Sequence, residues 1–199
     1  RPNLPQIRTD LRNETNQRLA KAVGAPLFLD SRPTAGTLRD YTTSKNIPVI
    51  LYEAGEALRF DETAIRMGVQ GVQNVMWEMG LLERPQFSPL RMPEPVLAHS
   101  SRWVRAPASG ILRTHLSLGD HVRKGQVLGI IGDPFGETEN PVRAGMEGVV
   151  IGRLTLPLVH EGDALFHIGT FEAPAEAAQA VEQMEAEMRT WMGEEPPIV

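Results

Sequence analysis

Two carboxylates three positions apart, Glu53 and Glu56, come directly after the apolar run Ile47-Pro-Val-Ile-Leu-Tyr52. A carboxylate within hydrogen-bond reach of a water molecule can take its proton and pass it to a leaving group, which is general acid–base chemistry. The run reads as a short buried strand, β-rich and bounded by turn formers. Gly55 lets the backbone turn just beyond it. An acid at the C-terminal edge of such a strand lies where open α/β sheets keep their ligand crevices. The competing role for Glu53 is structural: a cap for the next segment of chain, or an ion pair with an arginine. Glu56 is placed to pair with Arg59 or to cap the turn.

Histidine placement limits any metal chemistry at Glu53. All five histidines (His99, His115, His121, His160 and His167) lie beyond residue 98, and a catalytic zinc normally takes at least one imidazole. Imidazoles for a metal beside Glu53 would come from the second half or from sequence outside this chain. His115 and His121 flank one turn, and His160 and His167 flank another. Neither pair has the spacing of a preformed metal site, so no metal ligand is assigned in this chain.

The elements that must hold these groups can be read from pattern. Asp10 to Val23 is expected to be a helix capped by Thr9 or Asp10, with Leu19 and Val23 on one face and Gly24 ending it. Leu27-Phe-Leu29 is a short strand. Thr37 caps a helix from Leu38 to Lys45, and the Ile47–Tyr52 strand comes next. A longer helix starts after Asp61, with Ile65, Val69, Val72, Met76 and Met79 as its apolar stripe, and Gly80 ends it. Gly68 and Gly71 within it permit close packing. The order strand, helix, strand, helix is α/β in character.

Four prolines between residues 85 and 95 interrupt regular structure and mark a domain boundary. Beyond it, short β-branched runs alternate with glycines, and a weak repeat appears. Arg105-Ala-Pro-Ala-Ser-Gly110 matches Arg143-Ala-Gly-Met-Glu-Gly148, Leu118-Gly-Asp120 matches Glu161-Gly-Asp163, and Ile131-Gly132 matches Ile168-Gly169. Two copies of a unit too small to bury its own face predict a pseudo-symmetric all-β barrel or sandwich. Pro174 to Met192 is a final helix with the stripe Val181, Met184, Met188 and Trp191, to be docked on protein. The predicted domains are therefore 1–92, 93–170 and 171–199.

The 199 residues carry a net charge of -5 and no cysteine. That charge argues against a nucleic-acid surface, and the missing cysteines fit a reducing, cytoplasmic setting. No apolar run is long enough for a membrane span. The start at Arg1-Pro-Asn-Leu-Pro5 reads as the C-terminal part of a longer protein, whose α/β domain would otherwise expose sheet edges and apolar helix faces, or assemble as a homo-oligomer.

Several segments together resemble the succinylglutamate desuccinylase/aspartoacylase family of zinc-dependent deacylases. They are Asn3-Leu-Pro-Gln-Ile-Arg8, Gly36-Thr-Leu-Arg39, the run Ile47 to Phe60, Pro107-Ala-Ser-Gly110, Leu118 to Leu128, Asp133-Pro-Phe-Gly136 and Gly162 to Gly169. The resemblance implies a partial zinc-carboxypeptidase-like α/β catalytic domain, then a small all-β barrel-sandwich-like domain and a C-terminal helix. It implies Zn2+ in the intact protein, with its His-x-x-Glu and Asp-Leu-His ligands upstream of Arg1. Glu53 matches the family's catalytic glutamate, which implies that it moves a proton from zinc-bound water to the leaving amine. Arg8 and Arg39 lie in segments that the family places near the pocket, and are the candidates for the carboxylate of a small acylated amino-acid-like substrate, with Asn3 a further polar contact. The barrel-sandwich shape also resembles biotinyl and lipoyl carrier domains, but the stretch between Ile131 and Val142 has no lysine to modify. The alternative function is a non-catalytic binding or interaction module, and this chain alone is expected to be inactive.

Overall fold

In the computed structural model, residues 1–84 and 94–193 are described. They divide into two compact units, one of residues 5–84, 94–97 and 183–193, the other of Arg1–Leu4 with Ala98–Glu182. Most of the proline-rich stretch lies outside the described residues.

In the first unit, β1 (Asn3–Thr9) pairs in parallel with β2 (Leu27–Asp30), Gln6 opposite Leu27 and Arg8 opposite Leu29. The strand order is β4 (Val96–Ala98), β2, β1, β3 (Leu51–Gly55). Helices α1 (Glu14–Val23) and α3 (Glu62–Glu78) contribute Ala20, Val23 and Met67 to a core shared with Ile7 and Phe28. The short α2 (Leu38–Ser44) is capped by Thr37, as expected, and buries none of its residues.

Three expectations shift here. The cap of α1 is Asn13, whose side chain accepts from Asn16 N, rather than Thr9 or Asp10. Thr9 remains in β1, and Asp10 is drawn into an ion pair with Arg12.

The third strand begins four residues later than predicted, and it is not buried: Ile47 is 54% and Leu51 37% exposed. Pro48 has no N–H for a ladder. The backbone of Val49 is satisfied by side chains instead, its N–H by Asn16 Oδ1 at 3.1 Å and its carbonyl by Thr9 Oγ1 at 2.8 Å. Glu53 consequently sits in mid-strand rather than just past the strand's end.

The apolar stripe of α3 also faces the other way. Val69, Val72 and Met79 are exposed, and the buried residues are Arg66, Met67 and Gly71. The glycines decide this. A Cβ on Gly71 would lie 2.6 Å from Val23 Cγ1, and one on Gly68 would lie 3.1 Å from the Tyr52 ring. Only that face can approach α1 and β3 so closely, and Arg66 is buried with it, paired to Glu62 at 3.2 Å.

The strands of the second unit from β5 onward pair antiparallel in two groups of four. They are β5 (Ser100–Arg105), β6 (Gly110–Arg113), β7 (His121–Val122), β8 (Val127–Gly132), β9 (Glu139–Arg143), β10 (Gly148–Arg153), β11 (Leu158–Val159) and β12 (Ala164–Thr170). One sheet runs β7-β10-β12-β5 and the other β11-β6-β8-β9. Each sheet draws strands from both copies of the repeat, so neither copy can close a core alone. The turns repeat as well: Ser117 N donates to Asp120 Oδ2 at 2.7 Å, and His160 N to Asp163 Oδ2 at 2.8 Å. Val122, Leu128, Ile131, Val150, Leu165 and Ile168 are among the buried residues between the sheets.

Helix α4 (Pro174–Gly193) buries Val181 and Met184. The Met188 and Trp191 side chains lie outside the described residues. Among the described residues, no helix is long and apolar enough to cross a membrane.

The β8–β9 hairpin is closed by Asp133, which accepts from the N–H groups of Phe135, Glu137 and Thr138 and from the Thr138 hydroxyl. The Thr138 hydroxyl, together with these backbone donors, lowers the Asp133 pKa from 3.8 to about 2. A lowered carboxylate pKa adds stability that is complete above the unfolded-state value and is lost as pH falls through the folded one. The hairpin should therefore keep its amide shifts at pH 4 and lose them only as pH falls to about 2. An NMR titration of the Asp133 carboxylate and the Thr138 amide checks this, and a midpoint near 3.8 would contradict it.

Candidate functional site

Strand alternation sorts the side chains of the first unit. Ile7 belongs to the core with the helices, and Tyr52 packs against the same core. Tyr52 also donates its hydroxyl to Ala64 O on α3 at 2.8 Å. Because β1 and β3 are paired and side chains alternate, Arg8 and Glu53 project from the opposite face. There Arg8 Nε lies 2.8 Å from Glu53 Oε2, with side chains 20% and 33% exposed. The contact is an ion pair that lacks hydrogen-bond geometry at Nε. Burial lowers the Arg8 pKa, Glu53 raises it, and the nearby positive charge of Arg39 lowers it further.

Arg39, at the start of α2, is held by Ser31 through the Ser31 carbonyl and, at 3.4 Å, its hydroxyl. The structure thus pairs Arg8 with Glu53, with Arg39 near enough for its charge to act on Arg8. Asn3 is placed elsewhere: it belongs to the β unit, where it pairs with Gly152.

Glu56 takes the structural role open to it in the sequence, pairing with Arg59 at 3.3 Å. Both line a cleft of about 260 Å³, together with Tyr52, Ala54, Gly55, Asp61, Ala64 and Ile65. Gly55 has φ +62, and a Cβ there would lie 3.1 Å from the Asp61 Cβ. The strand can therefore turn towards α3 only through glycine. Burial, then the charge of Asp61, raises the Tyr52 pKa above its usual 10, so its hydroxyl stays protonated as a donor. Glu53 is not among the residues lining this cleft.

Among the described residues, no three His, Cys, Asp or Glu side chains come together in a way that could hold a metal ion. A zinc ion does not fit the described residues by themselves. Two of the histidines have other partners, His121 with Glu147 at 3.0 Å and His167 with Ser101 at 2.8 Å. His167 also stacks on Trp103, with ring centroids 4.5 Å apart.

One residue escaped the reading of the sequence. Gln6, between Leu4 and Ile7 in β1, is fully buried, and neither its Nε2 nor its Oε1 has a hydrogen-bond partner. The signal was a polar side chain inside an apolar strand, two positions before Arg8.

The architecture, a mixed α/β unit and a β unit of short paired strands, is that of the solved succinylglutamate desuccinylase/aspartoacylase structures. The Rhodobacter sphaeroides succinylglutamate desuccinylase/aspartoacylase matches with a TM-score of 0.74 at 20% identity, over 86% of this chain and 55% of that one. The apo ectoine utilization protein EutE (DoeB) from Ruegeria pomeroyi matches with a TM-score of 0.76 at 20% identity, over 85% of this chain and 56% of that one. Such identities establish a shared fold, and the chain spans little more than half of either structure. No family profile matches the chain. The uncharacterized protein YqeB of Escherichia coli is 36% identical over 88 residues, 44% of this chain but 15% of YqeB.

Proposed function

We propose that this chain supplies the acid–base group and the anion-recognising arginines of a zinc-dependent deacylase that hydrolyses the amide or ester of a small acylated amino acid. The observation that carries the proposal is the convergence of Arg8, Arg39 and Glu53, in a fold shared with desuccinylase/aspartoacylase structures. Two guanidinium groups against one carboxylate leave the cluster with excess positive charge, which attracts an anionic substrate. Arginine's fork suits the substrate carboxylate. Glu53 takes the proton from the attacking water and returns it to the leaving amine.

On this reading the first unit is the carboxypeptidase-like part of a catalytic domain, and the β unit is a barrel-sandwich domain. The whole protein works in the cytoplasm on a small molecule, and any zinc is held by residues outside this chain. The Arg8–Glu53 ion pair also supports a second reading, in which Glu53 is a structural tie between β1 and β3 and the chain is an interaction module.

Metal content and hydrolysis, measured together, separate the two. The intact protein is expected to carry one zinc and to release amine from an N-acylated amino acid, while the 199-residue chain does neither. An intact protein that is zinc-free and inert would support the module. Turnover by the short chain alone would overturn the assignment of the metal ligands.

A further inference from the structure

Among the described residues, Gln6, on the Arg8 face of β1, has a buried amide with both polar atoms left unused. Neither amide atom has a partner, and the side chain is 0% exposed. Buried polar groups nearly always find a partner, because leaving one unmade forfeits its hydration with nothing in return. The neighbours on β2 cannot help: Gln6 is opposite Leu27 and Arg8 opposite Leu29, both buried leucines. A leucine or methionine at position 6 would fill similar space without that penalty. An amide held there against stability points to a use in another state of the site.

Residues two apart on a strand share a face at about 6.5–7 Å, within reach of a glutamine and an arginine side chain. An amide can accept from a guanidinium through its oxygen and donate to a carboxylate through its nitrogen at the same time. We infer that Gln6 is a positioning residue for the Arg8–Glu53 pair. When an anionic ligand draws the Arg8 guanidinium off Glu53, Gln6 Oε1 accepts from that guanidinium and Nε2 donates to the ligand carboxylate. Arg8 is then held on the ligand, and Glu53 is released to act on water. Arg39 is the second cation of the cluster and stays on Ser31, while Glu56 is engaged with Arg59. This inference rests on the function proposed above.

Sodium succinate serves as the dianionic probe, and the Arg8 15Nε resonance of the 199-residue chain reports its binding beside a thermal melt. In the native chain succinate should shift that resonance saturably. Gln6→Leu should melt no lower than the native chain yet bind succinate at least ~10-fold more weakly, about 1.4 kcal/mol, and Gln6→Asn should recover part of the loss. Equal binding by Gln6→Leu overturns the inference and leaves the proposed anion site standing. A Gln6→Leu chain that melts lower or fails to fold also overturns it, since the amide would then be structural. Failure of succinate to move the Arg8 signal in the native chain would remove both the anion site and the role of Gln6.

Discussion

Glutamine in place of Glu53 is expected to lower turnover of an N-acylated amino acid by the intact protein about 10²–10⁴-fold, the range for loss of a positioned general acid–base group. The amide keeps the size and shape of the carboxylate but cannot take a proton. Substrate binding should change little, because the two arginines carry the recognition. The stability change should be modest: the pair is mostly buried, at 20% and 33% exposed, but the isosteric amide still offers Arg8 an acceptor, so the loss is expected at about 1–3 kcal/mol. A kcat effect far larger than the melting shift accounts for is therefore the signature of catalysis. A structural tie predicts the reverse.

Glu56→Gln provides the internal control. Its partner Arg59 is 76% exposed, and both residues line the cleft that Glu53 does not reach, so turnover should fall less than ~10-fold, the loss of a helper rather than of the proton carrier. Equal losses from the two substitutions would move the acid–base role away from Glu53.

What the sequence revealed depended on whether the deciding interaction was local. The caps at Thr37 and Asp61 and the stop at Gly24 are settled within a few residues, and each was legible. The start of β3 was not, because the backbone of Val49 is claimed by Thr9 and Asn16, some 40 and 33 positions away in the chain. The inward face of α3 was misread for a related reason. The helix is apolar on two sides, and the choice between them rests on Val23 of another helix fitting over Gly71.

The candidate site shows the same division. Residue type and strand position brought out Glu53, and the family resemblance added Arg8 and Arg39, but the pairing that occupies Glu53 depends on which face of β3 it takes, and that hung on the misplaced strand boundary. Gln6 was visible only as an interrupted apolar pattern. The internal repeat in the β unit was legible as a faint match, whereas the exchange of strands between the copies belongs to the fold alone.

A close strand–strand contact repeated within each copy sets the second large effect. Gly148→Ala should unfold the β unit or lower its melting temperature by more than ~10 °C, from a cost of about 3 kcal/mol or more for overpacking a rigid contact. A Cβ on Gly148 would lie 2.1 Å from Gly169 O and 2.8 Å from Ile168 Cγ2. The nearer atom is backbone, in a strand paired through Val149 and Gly169, so no side-chain rotation relieves it. The first copy of the repeat reproduces the contact, with a Cβ on Gly110 2.4 Å from Gly132 O and 2.8 Å from Ile131 Cγ2. Gly110→Ala should therefore be at least as damaging as Gly148→Ala in circular-dichroism melts, because its φ of +155 adds backbone strain to the same contact. Gly125→Ala isolates the backbone contribution, since its φ of +84 is strained for alanine but nothing lies within 4 Å of the added carbon. It should cost only about 1–2 kcal/mol. If Gly148→Ala were no worse than Gly125→Ala, close approach of β10 to β12 would not be what holds the β unit together, and its stability would rest on the side chains buried between the two sheets.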